Sequence, residues 1–193
     1  MDGTVHKVLG NLPTVMSPRT PRAWPATITF ITAPRYHSSV PPSTRSVLTN
    51  NAALSHSGVN HLVRIKLIID TRHPACGQRG LFAHKKIPPG SHIIDYVGEV
   101  HCEERPDSDY DLSLYRRDGV NVGIDAQEMG NESRFINDYR GIKDRPNAEF
   151  VEYRTGRGEL RMSVWSREGI QRGDEIVVSY GKSWWRSRCN LGE

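Results

Sequence analysis

The chain has 193 residues, of which 36% are hydrophobic and 25% are charged. That length suits one domain with its own core plus a tail, and two full domains would be crowded. No run approaches the roughly 18 consecutive apolar residues that span a bilayer, so we expect no membrane partner. The three cysteines, Cys76, Cys102 and Cys189, lie far apart without a Cys-x-x-Cys pair, which argues against a disulfide framework and a metal site.

The positive charge is concentrated at the N-terminus. Residues 1–60 contain five basic residues and one acidic residue, which account for the whole formal net charge of +4. Residues 61–193 contain 21 basic and 21 acidic residues. Because this larger part is formally neutral, we do not expect it to bind nucleic acid through phosphate contacts. Nucleic-acid binding through the basic N-terminal tail stays open as a separate function class.

The first 60 residues differ from the rest in composition. They hold seven of the twelve prolines and no sustained hydrophobic period of 2 or 3.6 residues. Such a segment cannot bury enough apolar surface to offset the entropy lost on ordering, so residues 1–60 are predicted to be mostly disordered. Three roles remain open for them: a flexible tail, an organelle transit peptide, and a basic arm that binds a partner.

After residue 60 the sequence changes to short β-rich segments separated by turn residues. Alternating patterns flank Asp118-Gly119 and residues 155–158, which is typical of hairpins. No ten-residue stretch keeps a helical period with caps, so residues 61–185 are predicted to form a mainly β domain of several small sheets, with residues 186–193 as a short tail. The predicted strands are 62–70, 80–87, 91–101, 110–117, 121–127, 148–154, 159–166 and 174–181.

Four short motifs follow one another in this domain. They are GQRGLFA at 77–83, YVGEV at 96–100, RFIN at 134–137 with PN at 146–147, and GDE at 173–175 leading to YG at 180–181. Each is common alone, but the four in this order resemble the SET domain of protein lysine methyltransferases over roughly residues 62–185. The resemblance implies a β-clip-like fold of small sheets with a C-terminal pseudoknot and few short helices. It also implies S-adenosylmethionine as the cofactor and no metal.

The resemblance assigns cofactor contacts to two of these motifs. Arg79 and Gly80 would form a turn whose backbone approaches the cofactor without a Cβ in the way. Within and after RFIN, Arg134, Phe135, Asn137 and Asp138 would lie against the cofactor, with Asn137 supplying amide hydrogen bonds.

Two tyrosines are the implied catalytic residues. Methyl transfer needs a neutral amine, whereas free lysine has a pKa of about 10.4. A narrow apolar channel disfavours the ammonium form, and the Tyr180 hydroxyl would align the amine with the methyl group while Tyr110 lines the pocket. Phe150, Val178 and Trp184 would form the channel walls. Phenylalanine with a small valine opposite would leave room for a methylated amine, so we expect more than one methyl group to be added.

The sequence departs from the family pattern in two places. The family's Asn-His-Ser-Cys stretch is replaced by Asn137-Asp138-Tyr139-Arg140, and only Cys189 follows the domain, so the chain resembles a compact member without cysteine-rich zinc segments. The first change leaves two hypotheses open. The domain is either an active methyltransferase or a SET-like module that binds proteins or peptides with impaired catalysis.

The implied partner is a protein with an accessible lysine. An acidic run, Glu103, Glu104, Asp107 and Asp109, could meet a basic peptide such as a histone tail, although an ordinary solvated loop explains the same charges. Histones are the default substrate of the family, which favours a nuclear location. The sequence does not predict an oligomeric state.

Overall fold

The computed structural model describes residues 20–54, 60–117, 119–182 and 184–185. These ranges contain short strands, one α-helix, α1 (Pro42–Thr49), and one turn of 3₁₀ helix, Glu132–Phe135. The strands are β1 (Thr29–Phe30), β2 (Arg35–Tyr36), β3 (Val63–Leu67), β4 (Arg79–Ala83), β5 (His92–Tyr96), β6 (Glu99–His101), β7 (Asp111–Arg117), β8 (Val120–Asp125), β9 (Met129–Gly130), β10 (Asn137–Asp138), β11 (Ala148–Arg154), β12 (Leu160–Ser166) and β13 (Val177–Val178).

The strands form small sheets, as predicted. One sheet has the order β2-β6-β8-β7, a second has the order β11-β12-β5, and the pairs β3-β4, β1-β9 and β10-β13 complete the described set. The prediction of a mainly β fold built from several small sheets is therefore confirmed. No helix in the described ranges is long and apolar enough to cross a membrane.

The hairpin predicted across Asp118-Gly119 is present. Strands β7 and β8 pair antiparallel with Arg117 opposite Val120, and Gly119 has a φ of 76°. A turn residue with positive φ strains most side chains, which explains the glycine. Strands β11 and β12 likewise pair along their whole length, from Ala148 opposite Ser166 to Arg154 opposite Leu160.

Two apolar clusters form the core. The first joins strands β3, β4, β5 and β12 with the 3₁₀ turn and the C-terminal strand, and the second lies between the sheet β2-β6-β8-β7 and helix α1. In the second cluster Leu48, one of two buried residues of the helix, is fully excluded from solvent. Burying a side chain of this size contributes about 1.5–3 kcal/mol, so the helix is part of the domain.

For residues 20–54 the structure differs from the prediction of disorder. This segment contains β1, β2 and α1, and both strands pair in parallel with strands of the domain. The helix begins at Pro42, where a proline needs no hydrogen-bonded N–H, and ends at Asn50, which has a left-handed φ of 52°. Long-range pairing stabilises these elements, which is why local composition did not reveal them. Residues 1–19 and 186–193, for which tails were predicted, lie outside the described residues.

One further pairing brings distant parts of the chain together. Strand β10 pairs in parallel with β13, with Asn137 opposite Val177 and Asp138 opposite Val178. The residues that follow β13 therefore lie beside the segment that follows the 3₁₀ turn. This is the juxtaposition that the implied pseudoknot requires, and it assembles the site described next.

Candidate functional site

Two neighbouring cavities lie at the junction of β10 and β13. The larger has a volume of about 570 Å³ and the smaller a volume of about 30 Å³. The two share five lining residues: Asp109, Tyr110, Arg134, Tyr180 and Trp184. The shared residues mark a single point at which the contents of the two cavities could meet.

Tyr180 lies at this junction with both its backbone and its hydroxyl fixed. The backbone N–H donates to Asp138 Oδ2 at 2.8 Å, and the hydroxyl donates to the carbonyl oxygen of Ile136 at 2.7 Å. Burial and the nearby charge of Asp138 raise the pKa of Tyr180 well above its ordinary value of 10.0. The phenol therefore stays neutral at physiological pH, and its oxygen lone pairs remain able to accept a hydrogen bond.

The smaller cavity has mainly aromatic and aliphatic walls. Phe150 and Tyr96 contact each other edge to face, with ring centroids 5.8 Å apart and planes at 88°. The Tyr96 hydroxyl donates to the carbonyl oxygen of Tyr110 at 2.7 Å, and burial raises the pKa of Tyr96 well above its ordinary value. Leu112 and Ile136 add apolar surface. An ammonium group entering this space would lose much of its hydration.

Arg134, at the junction of the cavities, links the backbone to two aromatic rings. Its Nε donates to the carbonyl oxygen of Ala126 at 2.8 Å and its Nη2 to that of Gln127 at 3.3 Å. The guanidinium carbon lies 4.1 Å from the ring centroid of Tyr110 and 4.9 Å from that of Phe135. These contacts fix two of the aromatic rings that line the larger cavity.

Asn137 belongs to a polar chain that the sequence did not reveal. Its Nδ2 donates to Glu175 Oε1 at 2.8 Å, while Glu175 Oε2 lies 2.9 Å from His73 Nε2. Gly80 makes this chain possible, because a Cβ there would lie 2.8 Å from Glu175 Oε1 and 2.9 Å from the Phe82 ring. The GDE motif therefore serves the site through Glu175, which orients Asn137.

The departure at Asp138 has a structural explanation. Its carboxylate accepts from Arg140 Nη1 at 2.8 and 3.0 Å, from the Arg140 backbone N–H at 2.9 Å and from the Tyr180 backbone N–H at 2.8 Å. Trp185 Nε1 donates to the same carboxylate at 3.3 Å. Asp138 and Arg140 thus act as a matched pair that ties β10 to the C-terminal segment.

Aromatic side chains from the C-terminal segment complete the junction. Trp184 packs on Tyr180 with centroids 4.8 Å apart and on Trp185 at 5.0 Å. Trp185 is 36% exposed and also lines the larger cavity. Cys189 lies outside the described residues.

Most of the predicted site residues meet at these cavities. The larger cavity is lined by Arg79, Tyr110, Arg134, Phe135, Asn137, Asp138, Tyr180 and Trp184, and the smaller one also by Phe150. Gly80 and Val178 do not line either cavity. Gly80 is buried next to Glu175, and Val178 is fully buried in the first apolar cluster. Their predicted roles in cofactor binding and channel width stay predictions.

Other lining residues were missed from the sequence. Tyr96 was not among the predicted site residues, although its position two residues before Gly98 in YVGEV was a usable signal. Pro25, Thr27 and Ile28 also line the larger cavity, and nothing in their local pattern indicated it. No group of three or more His, Cys, Asp or Glu side chains in the described ranges is arranged to hold a metal ion.

Comparison with known families decides what this arrangement is. The model of the SET domain matches residues 78–181, more than half of the chain. The chain belongs to the SET-domain family. The matched region contains both strands of the β10-β13 pair and every predicted site residue except Trp184, which lies just beyond it.

Curated relatives of this SET-domain protein are named as histone-lysine methyltransferases. The chain is 33% identical over 131 residues to histone-lysine N-methyltransferase ASHH3 of Arabidopsis thaliana, which covers 62% of this chain and 33% of the relative. It is 32% identical over 125 residues to histone-lysine N-methyltransferase EHMT1 of Homo sapiens, covering 63% of this chain and 9% of the relative. The chain thus spans a third or less of these relatives.

A solved structure shares the fold of this SET-domain protein. ATXR5 in complex with histone H3.1 superposes with a TM-score of 0.61 at 19% identity, covering 81% of this chain and 82% of the other. A similarity at this identity shows the fold alone. The superposition covers 81% of the chain, more than the 54% that the family model matches.

Proposed function

We propose that this SET domain is an S-adenosylmethionine-dependent protein-lysine N-methyltransferase. One observation carries the proposal: a larger cavity and a narrow, mainly apolar one meet at the neutral hydroxyl of Tyr180. Methyl transfer needs such a junction, because the methyl donor and the lysine must approach from opposite sides in line.

The larger cavity fits the proposed cofactor in size and chemistry. Its volume of about 570 Å³ lies within the range of about 300–1,000 Å³ that is usual for small-molecule sites. Aromatic faces of Phe135, Tyr180 and Trp184 suit a sulfonium cation, and Asn137 offers an amide to polar groups. Residues Arg79, Phe135 and Asn137 would hold the cofactor, with Tyr180 at its reactive end.

The smaller cavity suits the amine end of a lysine side chain. When bound, S-adenosylmethionine would supply the methyl group, which forms a bond to the amine nitrogen while the carbon–sulfur bond breaks and sulfur keeps the electron pair. The amine must first lose its proton to water. The apolar surface of Phe150, Leu112 and Ile136 favours that loss, because burial disfavours the ammonium form. The Tyr180 oxygen would then accept a hydrogen bond from the neutral amine and orient its lone pair.

Charge at the entrance supports a basic protein substrate. Asp109 is exposed and lines both cavities, and it ends the acidic run that begins at Glu103. A carboxylate at the mouth attracts a cationic side chain before it is desolvated. We therefore propose a histone tail or a similar basic peptide as the substrate class, and a nuclear location for a histone substrate.

The test compares the wild type with Tyr180→Phe in an assay of labelled methyl transfer from S-adenosylmethionine. Histones and a whole-cell extract serve as acceptors, and mass spectrometry maps the product to lysine. We expect transfer by the wild type and a loss of about 100-fold or more in Tyr180→Phe, the scale of a lost positioning or acid–base contribution. Tyr153→Phe, an exposed tyrosine outside both cavities, is the matched control.

The rival hypothesis is a SET-like binding module that has lost catalysis. Its motivation was Asp138 in place of the family's histidine. The hydrogen bonds of Asp138 to Arg140 and Tyr180 support a rebuilt but ordered site instead. A wild type that binds the cofactor but transfers no methyl group to any protein would favour the rival.

A further inference from the structure

Three residues far from the family-model match line the larger cavity. They are Pro25, Thr27 and Ile28, about 50 residues before the first matched position. We infer that Pro25, Thr27 and Ile28 form part of the cofactor site itself, and we call the loop that carries them, residues 23–28, the N-terminal wall. The inference rests on the proposed function, because it takes the larger cavity as the site of S-adenosylmethionine.

The N-terminal wall is anchored to the strand that leads into the site. Directly after it, β1 pairs in parallel with β9, and the Ile31 backbone N–H donates to the carbonyl oxygen of Gly130 at 2.9 Å. Strand β9 is followed at once by the 3₁₀ turn that carries Arg134 and Phe135. The N-terminal wall and the RFIN motif are therefore held by adjacent, hydrogen-bonded backbone segments.

Trp24 gives the wall its shape. Its indole packs edge-on against Phe135 with centroids 5.4 Å apart, and against Phe30 at 5.0 Å. Its Nε1 donates to the carbonyl oxygen of Ile28 at 2.7 Å, which closes residues 24–28 into a compact loop. One aromatic residue thus contacts the proposed cofactor-binding Phe135 and fixes the loop that faces the same cavity.

A second contact joins the wall to the glycine-flanked motif. Arg79 Nε donates to the carbonyl oxygen of Ala23 at 2.9 Å. Arg79 and Phe135 are both predicted cofactor contacts, and each is held by a residue of the segment from Ala23 to Trp24. The segment before the family domain therefore positions two groups of the site in addition to lining it.

The wall lies away from the point of methyl transfer. Pro25, Thr27 and Ile28 line only the larger cavity, whereas Tyr180 lines both. A substitution in the wall is thus expected to weaken the binding of S-adenosylmethionine and of its demethylated product, S-adenosylhomocysteine, by similar factors. A residue at the junction would instead change the ratio of the two dissociation constants.

The test places the same bulk at two neighbouring positions of the wall. Thr27 is exposed and lines the cavity, while Ala26 is exposed and does not line it. Isothermal titration calorimetry measures the affinity of both compounds for the full chain. We expect Thr27→Trp to weaken both by about tenfold or more and Ala26→Trp to change them by less than about twofold.

A measurement on the wild type does not depend on how the variants fold. Trypsin cleaves after Arg22 and Arg35, which flank the wall. If the wall must be docked for binding, S-adenosylhomocysteine at about ten times its dissociation constant slows these cleavages by about tenfold. Cleavage after Arg154, outside both cavities, reports on general stabilisation.

The outcomes separate this inference from the proposed function. A wild type that binds neither compound overturns both. A wild type that binds S-adenosylhomocysteine, together with equal affinities for Thr27→Trp and Ala26→Trp, overturns the N-terminal wall and leaves the proposed function standing. Unchanged tryptic cleavage in the presence of the compound also overturns it.

Discussion

The Asp138 carboxylate offers the sharpest test of how this site is held together. Its side chain is only 6% exposed, and it accepts hydrogen bonds from Arg140, from the Tyr180 backbone and from Trp185. In Asp138→Ala, the half-buried Tyr180 N–H loses this acceptor and the Arg140 guanidinium loses its partner. We therefore expect the β10-β13 junction to loosen and the whole domain to lose stability.

The magnitude follows from these contacts. A lost hydrogen bond to a charged acceptor costs about 1.5–3 kcal/mol when the donor stays buried. The ion pair adds less than a fully buried pair would, because the Arg140 side chain is 39% exposed and screened by solvent. The sum is about 2–4 kcal/mol for Asp138→Ala. Arg140→Ala should cost only about 0.5–1 kcal/mol, because the carboxylate keeps its three other N–H donors.

The assay is urea denaturation followed by tryptophan fluorescence, with thermal unfolding as a second measurement. Asp107→Ala is the control, because Asp107 is an exposed carboxylate of the acidic run. A domain of this size loses about 2–4 °C in melting temperature per kcal/mol. If Asp138→Ala is no less stable than Asp107→Ala, the proposed role of the carboxylate is wrong.

A related change restores the family residue. Asp138→His removes the acceptor for Arg140 and is expected to lower stability by about 1–3 kcal/mol, despite matching the family pattern. The double variant Asp138→His with Arg140→Cys removes the unpaired cation and should recover part of the loss. Equal stability of the single and double variants would contradict the matched-pair explanation.

Three further predictions follow from the structure. Gly80→Ala should destabilise the domain by about 1–3 kcal/mol in urea denaturation, because its Cβ would lie 2.8 Å from Glu175 Oε1, while Gly156→Ala, with open space around it, should not. Burial raises the pKa of Tyr36 from 10.0 to about 12. The neutral Tyr36 therefore stabilises the folded state fully below pH 10, and this contribution is lost between pH 10 and 12. In Tyr36→Phe the unfolding free energy should fall less steeply across that pH range. Phe150→Tyr should shift the product toward fewer methyl groups by mass spectrometry, because a hydroxyl would occupy the cavity of about 30 Å³.

Each of these predictions can fail in a defined way. Equal unfolding free energies for Gly80→Ala and Gly156→Ala would contradict the close approach of Glu175. An unchanged alkaline slope in Tyr36→Phe would show that other groups titrate in that window. An unaltered product distribution in Phe150→Tyr would remove this residue from the channel.

The hairpins and the junction residues could be predicted because their signals are local. Alternation along β11 and β12, the turn glycine at Gly119 and the RFIN motif each lie within a few residues of what they specify. The SET-domain resemblance then brought Tyr180 and Asn137 to one site, and the parallel β10-β13 pair places them there. The family and the mainly β fold were therefore predictable from the sequence.

The N-terminal segment was not predictable in the same way. Strands β1 and β2 have two residues each, too few to show alternation, and both depend on partners more than 60 positions away. Helix α1 has eight residues and begins at Pro42, directly after Pro41. The proline-rich composition of this segment predicted disorder instead. The polar contacts from Asn137 through Glu175 to His73 also join three distant parts of the sequence, so no local pattern predicted them.

The proposed function requires that the donor cavity and the lysine channel meet at Tyr180. A single-turnover rapid-quench experiment tests it most directly, with labelled S-adenosylmethionine bound in advance and a lysine peptide of a histone tail in excess. This experiment separates chemistry from binding. We expect methyl transfer by the wild type and a rate about 100-fold lower in Tyr180→Phe, with an unchanged dissociation constant for S-adenosylhomocysteine. Equal transfer rates in the two proteins would contradict it.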